Sequence, residues 1–401
     1  MTIPEHVKKI LETLNREGFE GYAVGGCVRD AVLNRVPEDW DITTDATPEE
    51  VKRIFGRTLD TGIAHGTVTV MLGKEGYEVT TYRTDGEYSD GRHPDYVTFT
   101  PSLKEDLKRR DFTINAMACG LDEQVIDLFG GREDLLRRVI RCVGTPEERF
   151  HEDALRMLRA IRFSAQLNFD IEPETWRALC GQTENMRKVS RERIFSELNK
   201  ILLSEHPEKL ALLISSGMGK YLDISAEELL CSEEIAALPK QKHLRWAALC
   251  SNLSGEGAGA VLHSLKSELE TERRVLLLVR EMKEKLPENL PQMRRKLAAI
   301  GPDRMEDLII LKQFGFGSQS SEQEVFCARQ RKEAVLEAGD CISRRTLTVS
   351  GKDLLKAGVR PGPPIGEALD YLFQLVLNEP ELNEKNVLLQ RLEEKRRREK
   401  E

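Results

Sequence analysis

No apolar run in the sequence approaches the roughly 18 to 20 residues that a membrane-spanning helix needs, so a spanning helix is excluded. The opening residues, MTIPEHVKKILETLNREGFEG, alternate charged and apolar positions at helical spacing, which excludes a signal peptide. A cytoplasmic protein is predicted. The eight cysteines are scattered at 27, 119, 142, 180, 231, 250, 327 and 341, and none forms a CxxC pair or lies near histidine at zinc-ligand spacing. That argues against a disulfide framework and a structural zinc, and predicts reduced, buried thiols. A basic excess is also missing: the net charge is −8, which speaks against a protein that coats nucleic acid nonspecifically but leaves room for a local basic surface. Aromatic residues are few, at 6%. No repeat or low-complexity tract is present.

What is present is a folded, rather polar chain, 40% hydrophobic and 32% charged over 401 residues, long enough for several domains. An amphipathic helix over 4–18 precedes a short strand, GYAVGG, which runs into a helix, CVRDAVLNR. DWDITT reads as a strand and TPEEVKRIF as a capped helix. GTVTVML, YEVTTYR and QVIDLF are further strands, with a helical stretch at SLKEDLKRRDFTINAMA. From about residue 147 the strand signals nearly vanish. TPEERFHEDALRMLRAIRFSAQL and SRERIFSELNKILLSE, the latter with a capping serine, read as long helices. KLPENLPQ and RPGPPIG read as breaks between helical subdomains.

Three constellations carry chemistry. In the first, GGCVRD at 25–30 precedes DWD at 39–41. Alternation along a strand projects Asp39 and Asp41 together and sends Trp40 and Ile42 into the core. Two adjacent carboxylates repel unless a cation lies between them, and hard oxygen ligands completed by substrate phosphates suit Mg²⁺. Such a site polarises an α-phosphate and orients an attacking 3′-hydroxyl. Gly25 and Gly26 let backbone N–H groups approach phosphate, and Arg29 adds a charge-assisted contact. Glu78 is a candidate third carboxylate on a neighbouring strand.

The second constellation is RRD, where Arg109 and Arg110 can hold phosphate and Asp111 can accept from a sugar hydroxyl. The third is HEDALRMLRAIRF, in which Asp153, Arg156, Arg159 and Arg162 recur every three residues on a predicted helix, Asp153 and Arg156 sharing one face. An acceptor beside a donor is complementary to the Watson–Crick edges of cytosine and adenine, which both show an amino donor beside a ring-nitrogen acceptor. Guanine and uracil present the opposite pattern. An unpaired buried group costs on the order of 1 to 3 kcal/mol, so this pair can select C and A without a nucleic-acid template.

With these segments in order, together with HGTVTV, EVTTYRTDGEYSDGRHPD and IDLFGGREDL, the chain resembles the class II tRNA nucleotidyltransferases, the CCA-adding enzymes. Bacterial poly(A) polymerases and separate CC- and A-adding enzymes share the same head. The likeness is dense over about residues 20–165. In length and in its late SGKDLL segment the chain resembles the shorter bacterial enzymes of the Bacillus type. The resemblance implies an α+β, polymerase-β-like nucleotidyltransferase head over 1–145. An all-α neck with a base-recognition helix over 146–215, a body over 216–310 and a tRNA-binding tail over 311–401 would follow. It implies that Asp39 and Asp41 bind Mg²⁺, that Gly26, Arg29 and Arg110 contact the incoming nucleotide, and that Asp153 and Arg156 read its base with Arg159 and Arg162. The implied partners are tRNA, CTP and ATP, with no membrane, in a monomer or homodimer. The helical half contains no His-Asp dipeptide, so the phosphohydrolase domain attached to some of these enzymes is not expected, nor is a long basic C-terminal extension. Arg83 to Val97 matches the loop used in switching from C to A, with His93 where related sequences often carry a second arginine. Template-free addition of C, C and A is the leading expectation. Addition of A alone, poly(A) synthesis, or a non-catalytic RNA-binding role are the alternatives.

Overall fold

A computed structural model describes residues 2–86, 96–222 and 233–398. The chain divides into two compact units, one of residues 1–236 with 261–267, the other of 237–260 with 268–401. Among the described residues no helix is long and apolar enough to cross a membrane, and the seven described cysteines are free.

The first unit is built on a sheet. Helix α1 (Glu5–Arg16) buries Val7, Ile10, Leu11 and Leu14, the spacing of one helical face, and the chain turns at Gly18 with φ 89°. Then follow β1 (Gly21–Val24), α2 (Gly26–Val32), β2 (Asp41–Thr44) and α3 (Pro48–Ile54). The start of α3 is fixed by a capping box: the Thr47 hydroxyl accepts from Glu50 N, and the Glu50 carboxylate accepts from Thr47 N. Strands β3 (Thr58–Gly62), β4 (Thr67–Leu72) and β5 (Glu75–Thr81) form a meander. The short β6 (Arg83–Asp85) and β7 (Val97–Phe99) pair with each other. Most of the segment that resembles the family's C-to-A switching loop lies between them in sequence, and 87–95, including His93, falls outside the described residues. Helix α4 (Leu103–Lys108), β8 (Met117–Cys119), β9 (Val125–Asp127), α5 (Gly131–Arg137) and β10 (Val139–Ile140) complete the region. The seven-stranded sheet runs β3-β4-β5-β2-β1-β8-β9, with β2 at its centre. The polymerase-β-like α+β head is present.

Two expected helices are shorter than their sequences suggest. LKRRDFTINAMA leaves the helix after Lys108, and its apolar run is spent on a 3-10 turn and β8. The stretch beginning at Pro146 breaks into α6 (Pro146–Glu152) and α7 (Leu155–Leu167). A two-residue β11 (Asp170–Ile171) pairs parallel with β10 before α8 (Pro173–Gln182) and α9 (Arg191–Leu202). Ser190 has the extended backbone of a cap but makes no capping bond through its side chain.

The second unit is helical. Among its helices are 269–281, 290–300, 302–313, 322–337 and 363–378. In KLPENLPQ and RPGPPIG, Pro291 and Pro363 occupy first-turn positions of helices, where no N–H is needed. Arg294 donates to Asp340 at 2.5 Å and to the terminal carbonyls of Leu377 and Asn378, offsetting the negative end of helix 363–378.

Candidate active site

The two aspartates flank the entry to β2. Asp41 is its first residue and Asp39 lies just outside it, both exposed, while Ile42 is buried and Trp40 only half-buried. The register places Asp41 opposite Val24 on β1, and the parallel pairing of Ile42 with Val79 brings Glu78 beside Asp41. Desolvation raises the pKa of Asp41, the Arg110 guanidinium pulls it down and Asp39 adds a further rise. Desolvation, then Asp41 and Asp39, also raise Glu78. These carboxylates therefore sense one another with less positive charge nearby than they need. Among the described residues no group of three or more His, Cys, Asp or Glu forms a ready-made metal cage. A divalent cation completed by substrate phosphates fits that donor set.

Facing the pair is a glycine cradle. Gly25 adopts φ 84°, and a Cβ there would come within 3.0 Å of Arg110 Nη1. Gly26, the first residue of α2, has more room, since a Cβ would lie 3.7 Å from Arg29 Nη2. Arg110 Nε is buried without a hydrogen-bond partner, a donor that an anion in the cradle would satisfy. Arg29 is held by Asp30, at 2.9 and 2.8 Å, and donates to Asn115 Oδ1 at 2.8 Å. Replacing Gly25 by alanine is expected to raise KM for the nucleotide about tenfold, because the left-handed backbone disfavours a side chain by roughly 1–2 kcal/mol and the methyl displaces Arg110. Steady-state kinetics check this, and an unchanged KM would exclude the cradle.

Sequence reasoning missed the residue that fixes Arg110. Asp106 is fully buried and accepts from Arg109 Nε at 3.0 Å and Nη2 at 2.8 Å, Arg110 Nη2 at 3.4 Å, Thr43 Oγ1 at 3.2 Å and Arg83 N at 3.4 Å. Burial pushes its pKa up, but Arg109 and Arg110 outweigh this and hold it below the ordinary value. One carboxylate thus joins the strand that carries Asp41, the RRD arginines and the start of β6. Asp106→Ala takes from two half-buried arginines the carboxylate they share, leaving Arg109, among the described residues, only Asp85 at 3.7 Å, and is expected to cost about 3 kcal/mol, measurable as a lower denaturant midpoint. A change below 1 kcal/mol would show that water replaces it. The only sequence signal was an acidic residue one turn before RRD, which reads equally well as a surface ion pair.

Asp111 is saturated. Its Oδ1 accepts from Phe112 N at 2.8 Å and Asn115 Nδ2 at 3.2 Å, and its Oδ2 accepts from Arg159 Nε at 2.7 Å and from Arg159 Nη2. Burial opposes its charge, yet Arg159 and Arg156 hold its pKa well below the carboxylate range. Four donors use about all of its acceptor capacity, so a sugar hydroxyl would have to displace one of them. The solvent-facing member of this pair is Arg159.

Asp153 is not on a helix with the arginines. It lies at the break between α6 and α7, with φ −140° and ψ 105°. Its Oδ1 accepts from Leu155 N at 3.0 Å, and its Oδ2 is paired with Arg193 of α9 at 2.8 Å. Arg156, on the first turn of α7, is held by Glu152 Oε2 at 2.5 Å, Arg149 O at 3.3 Å and Arg109 O at 3.2 Å. The two remain neighbours, joined by the Arg156 N–H donating to Asp153 O at 3.0 Å, although their side chains are oriented by other partners. Arg162 turns inward, donating to Glu197 Oε2 at 2.6 Å and Gln166 Oε1 at 3.1 Å. Arg193 and Glu197 were also missed; both belong to SRERIFSELNK, read only as a helix with a capping serine.

Comparison with known proteins follows the same order along the chain. Residues 21–141 match the family model described as Poly A polymerase head domain. Residues 168–225 match Probable RNA and SrmB-binding site of polymerase A, and 239–392 match tRNA nucleotidyltransferase domain 2. The CCA-adding enzyme of Levilactobacillus brevis is 39% identical over 96% of this chain and 96% of its own length. That of Lacticaseibacillus paracasei is 40% identical over 92% and 90%. Among solved structures, the Bacillus stearothermophilus CCA-adding enzyme in complex with CTP superposes with a TM-score of 0.85 at 33% identity, covering 100% of this chain and 99% of that one. Likeness of this extent, from the aspartates of β2 through the last helices, makes the chain a member of the CCA-adding enzyme family.

Proposed function

We propose that the protein adds C, C and A to the 3′ end of tRNA, using CTP and ATP and releasing pyrophosphate, without a template. The observation that carries this reading is the meeting of two mutually repelling carboxylates, Asp39 and Asp41, with Arg110, whose buried Nε is unpaired. Asp39 and Asp41 would hold the metal, with Glu78 beside them, and Mg²⁺ is the ion that suits them. When bound it supplies the positive charge that polarises the α-phosphate and steadies the leaving pyrophosphate.

The rest falls to the chain itself. Gly26, Arg29 and Arg110 cradle the triphosphate, so that its α-phosphate lies in line with the tRNA 3′-hydroxyl. Asp153 accepts from the amino group shared by cytosine and adenine, and Arg156 donates to the adjacent ring nitrogen. Arg159 and Arg162 support that reading edge. The four-part division into head, neck, body and tail, with the tail gripping tRNA, is part of the same proposal, as is a cytoplasmic location.

The test is incorporation into three tRNAs, lacking the whole tail, lacking CA, or lacking only A, each with CTP or ATP. All three are expected to end in CCA, chelation of divalent ions should stop the reaction and Mg²⁺ should restore it. Addition of A alone would favour the A-adding alternative, and a run of A a poly(A) polymerase. RNA binding without any transfer would leave a binding protein.

A further inference from the structure

Three of the guanidiniums assigned to the nucleotide surround one aromatic ring. Arg162 lies 4.0 Å from the centroid of Phe163, Arg29 5.1 Å and Arg159 5.6 Å. They come from distant segments, Arg29 from α2 of the head and the other two from α7, and the ring between them is 3% exposed. It is braced by a T-shaped contact with Phe112, 5.7 Å away at 81°, next in sequence to Asp111. Each arginine has its own carboxylate: Asp30 for Arg29, Asp111 for Arg159 and Glu197 for Arg162. Yet three like charges sharing one ring still repel: burial lowers the Arg162 pKa most, Glu197 opposes that and Arg159 lowers it further, whereas at Arg159 itself burial is outweighed by Asp111, which leaves the pKa raised.

An aliphatic residue of similar volume would fill the space and leave that repulsion in place. The face of a benzene ring carries partial negative charge and attracts guanidinium groups. It also offers a flat platform that fixes their planes without consuming N–H donors, so those not already given to Asp30, Asn115, Asp111, Glu197 and Gln166 stay available to oxygen ligands.

We propose that Phe163 is a positioning residue for nucleotide binding, in which its π face gathers Arg29, Arg159 and Arg162 into one preassembled cationic set. This rests on the reading of those arginines as nucleotide ligands. Before binding, the ring holds positive groups together that would otherwise spread apart. On binding, less ordering remains to be done, and affinity rises accordingly. The effect reaches CTP and ATP alike, because it acts through charge rather than through the base edge.

Phe163→Leu would leave a cavity and can fail through packing alone, so the deciding series keeps the ring. Incorporating mono-, di-, tri- and pentafluorophenylalanine at 163 in the full-length protein drains the π face in steps with little change of shape. CTP binding is then titrated by calorimetry, beside Arg29→Ala and Arg159→Ala. The expected result is a stepwise loss of CTP affinity along the series, reaching roughly tenfold, the order expected for a desolvated cation–π contact. ATP should lose affinity in parallel. A flat series alongside weakened binding by the two alanine variants overturns the role of Phe163 and leaves the arginine reading standing. Alanine variants that bind CTP as tightly as the parent protein overturn both.

Discussion

Asp41→Ala is expected to lower nucleotide transfer by about a thousandfold or more while leaving the protein nearly as stable as before. The first half follows from the chemistry assigned to the pair. A cation that polarises a phosphoryl oxygen contributes several kcal/mol to the transition state, and each 1.36 kcal/mol is worth a factor of ten in rate. The second half follows from the site's own electrostatics. Desolvation raises the Asp41 pKa, Arg110 lowers it and Asp39 raises it further, and because the side chain is exposed solvent screens most of that imbalance. Removing the carboxylate therefore costs the folded protein little. The backbone of β2 stays paired to β1 and β5 on either side, so the strand has no reason to move. Chain-extension assays and thermal melts on one preparation test both halves. Undiminished transfer would remove Asp41 from the metal site, and a large fall in melting temperature would make it a structural residue instead.

The contrast with Asp106 separates what the sequence discloses from what it conceals. Asp39, Asp41, Gly25, Gly26 and Arg110 are legible because their chemistry is local: a two-residue alternation, a glycine turn, a pair of arginines. The strand and the capping box at Thr47 are likewise set by neighbours in sequence. Asp106, equally acidic and equally close to a motif, becomes a buried hub only through Thr43, 63 residues away in the chain, and through the start of β6. The break at Asp153 is concealed in the same way. HEDALRMLR reads as an unbroken helix, but Asp153 sits at the break between α6 and α7, where it accepts from Leu155 N and pairs with Arg193, 40 residues on. Phe163 carries no signal in the sequence, because nothing local places Arg29 against it. Long-range ion pairs decide these positions, and no spacing rule records them.

That repositioning sharpens the second large expectation. If Asp153 and Arg156 formed a surface ion pair on one helix face, they would satisfy each other and have little to offer a base. Instead Asp153 is oriented by Arg193 and the Leu155 N–H, and Arg156 by Glu152 and two backbone carbonyls, so the two are held side by side by different partners. Such preorganisation is what hydrogen-bond discrimination needs, since a mobile side chain would adapt to guanine or uracil. Arg156→Ala takes away the donor to the ring nitrogen and leaves the Asp153 acceptor. Discrimination against GTP and UTP is therefore expected to fall by about ten- to a hundredfold, the range implied by one unmatched buried hydrogen bond. Pyrophosphate release with the favoured nucleotide should fall far less. Single-nucleotide incorporation with each of the four triphosphates gives the ratios directly. If all four rates fall together with their ratios preserved, Arg156 braces Glu152 and the RRD backbone rather than reading the base, and selectivity would have to be sought in Asp153 alone.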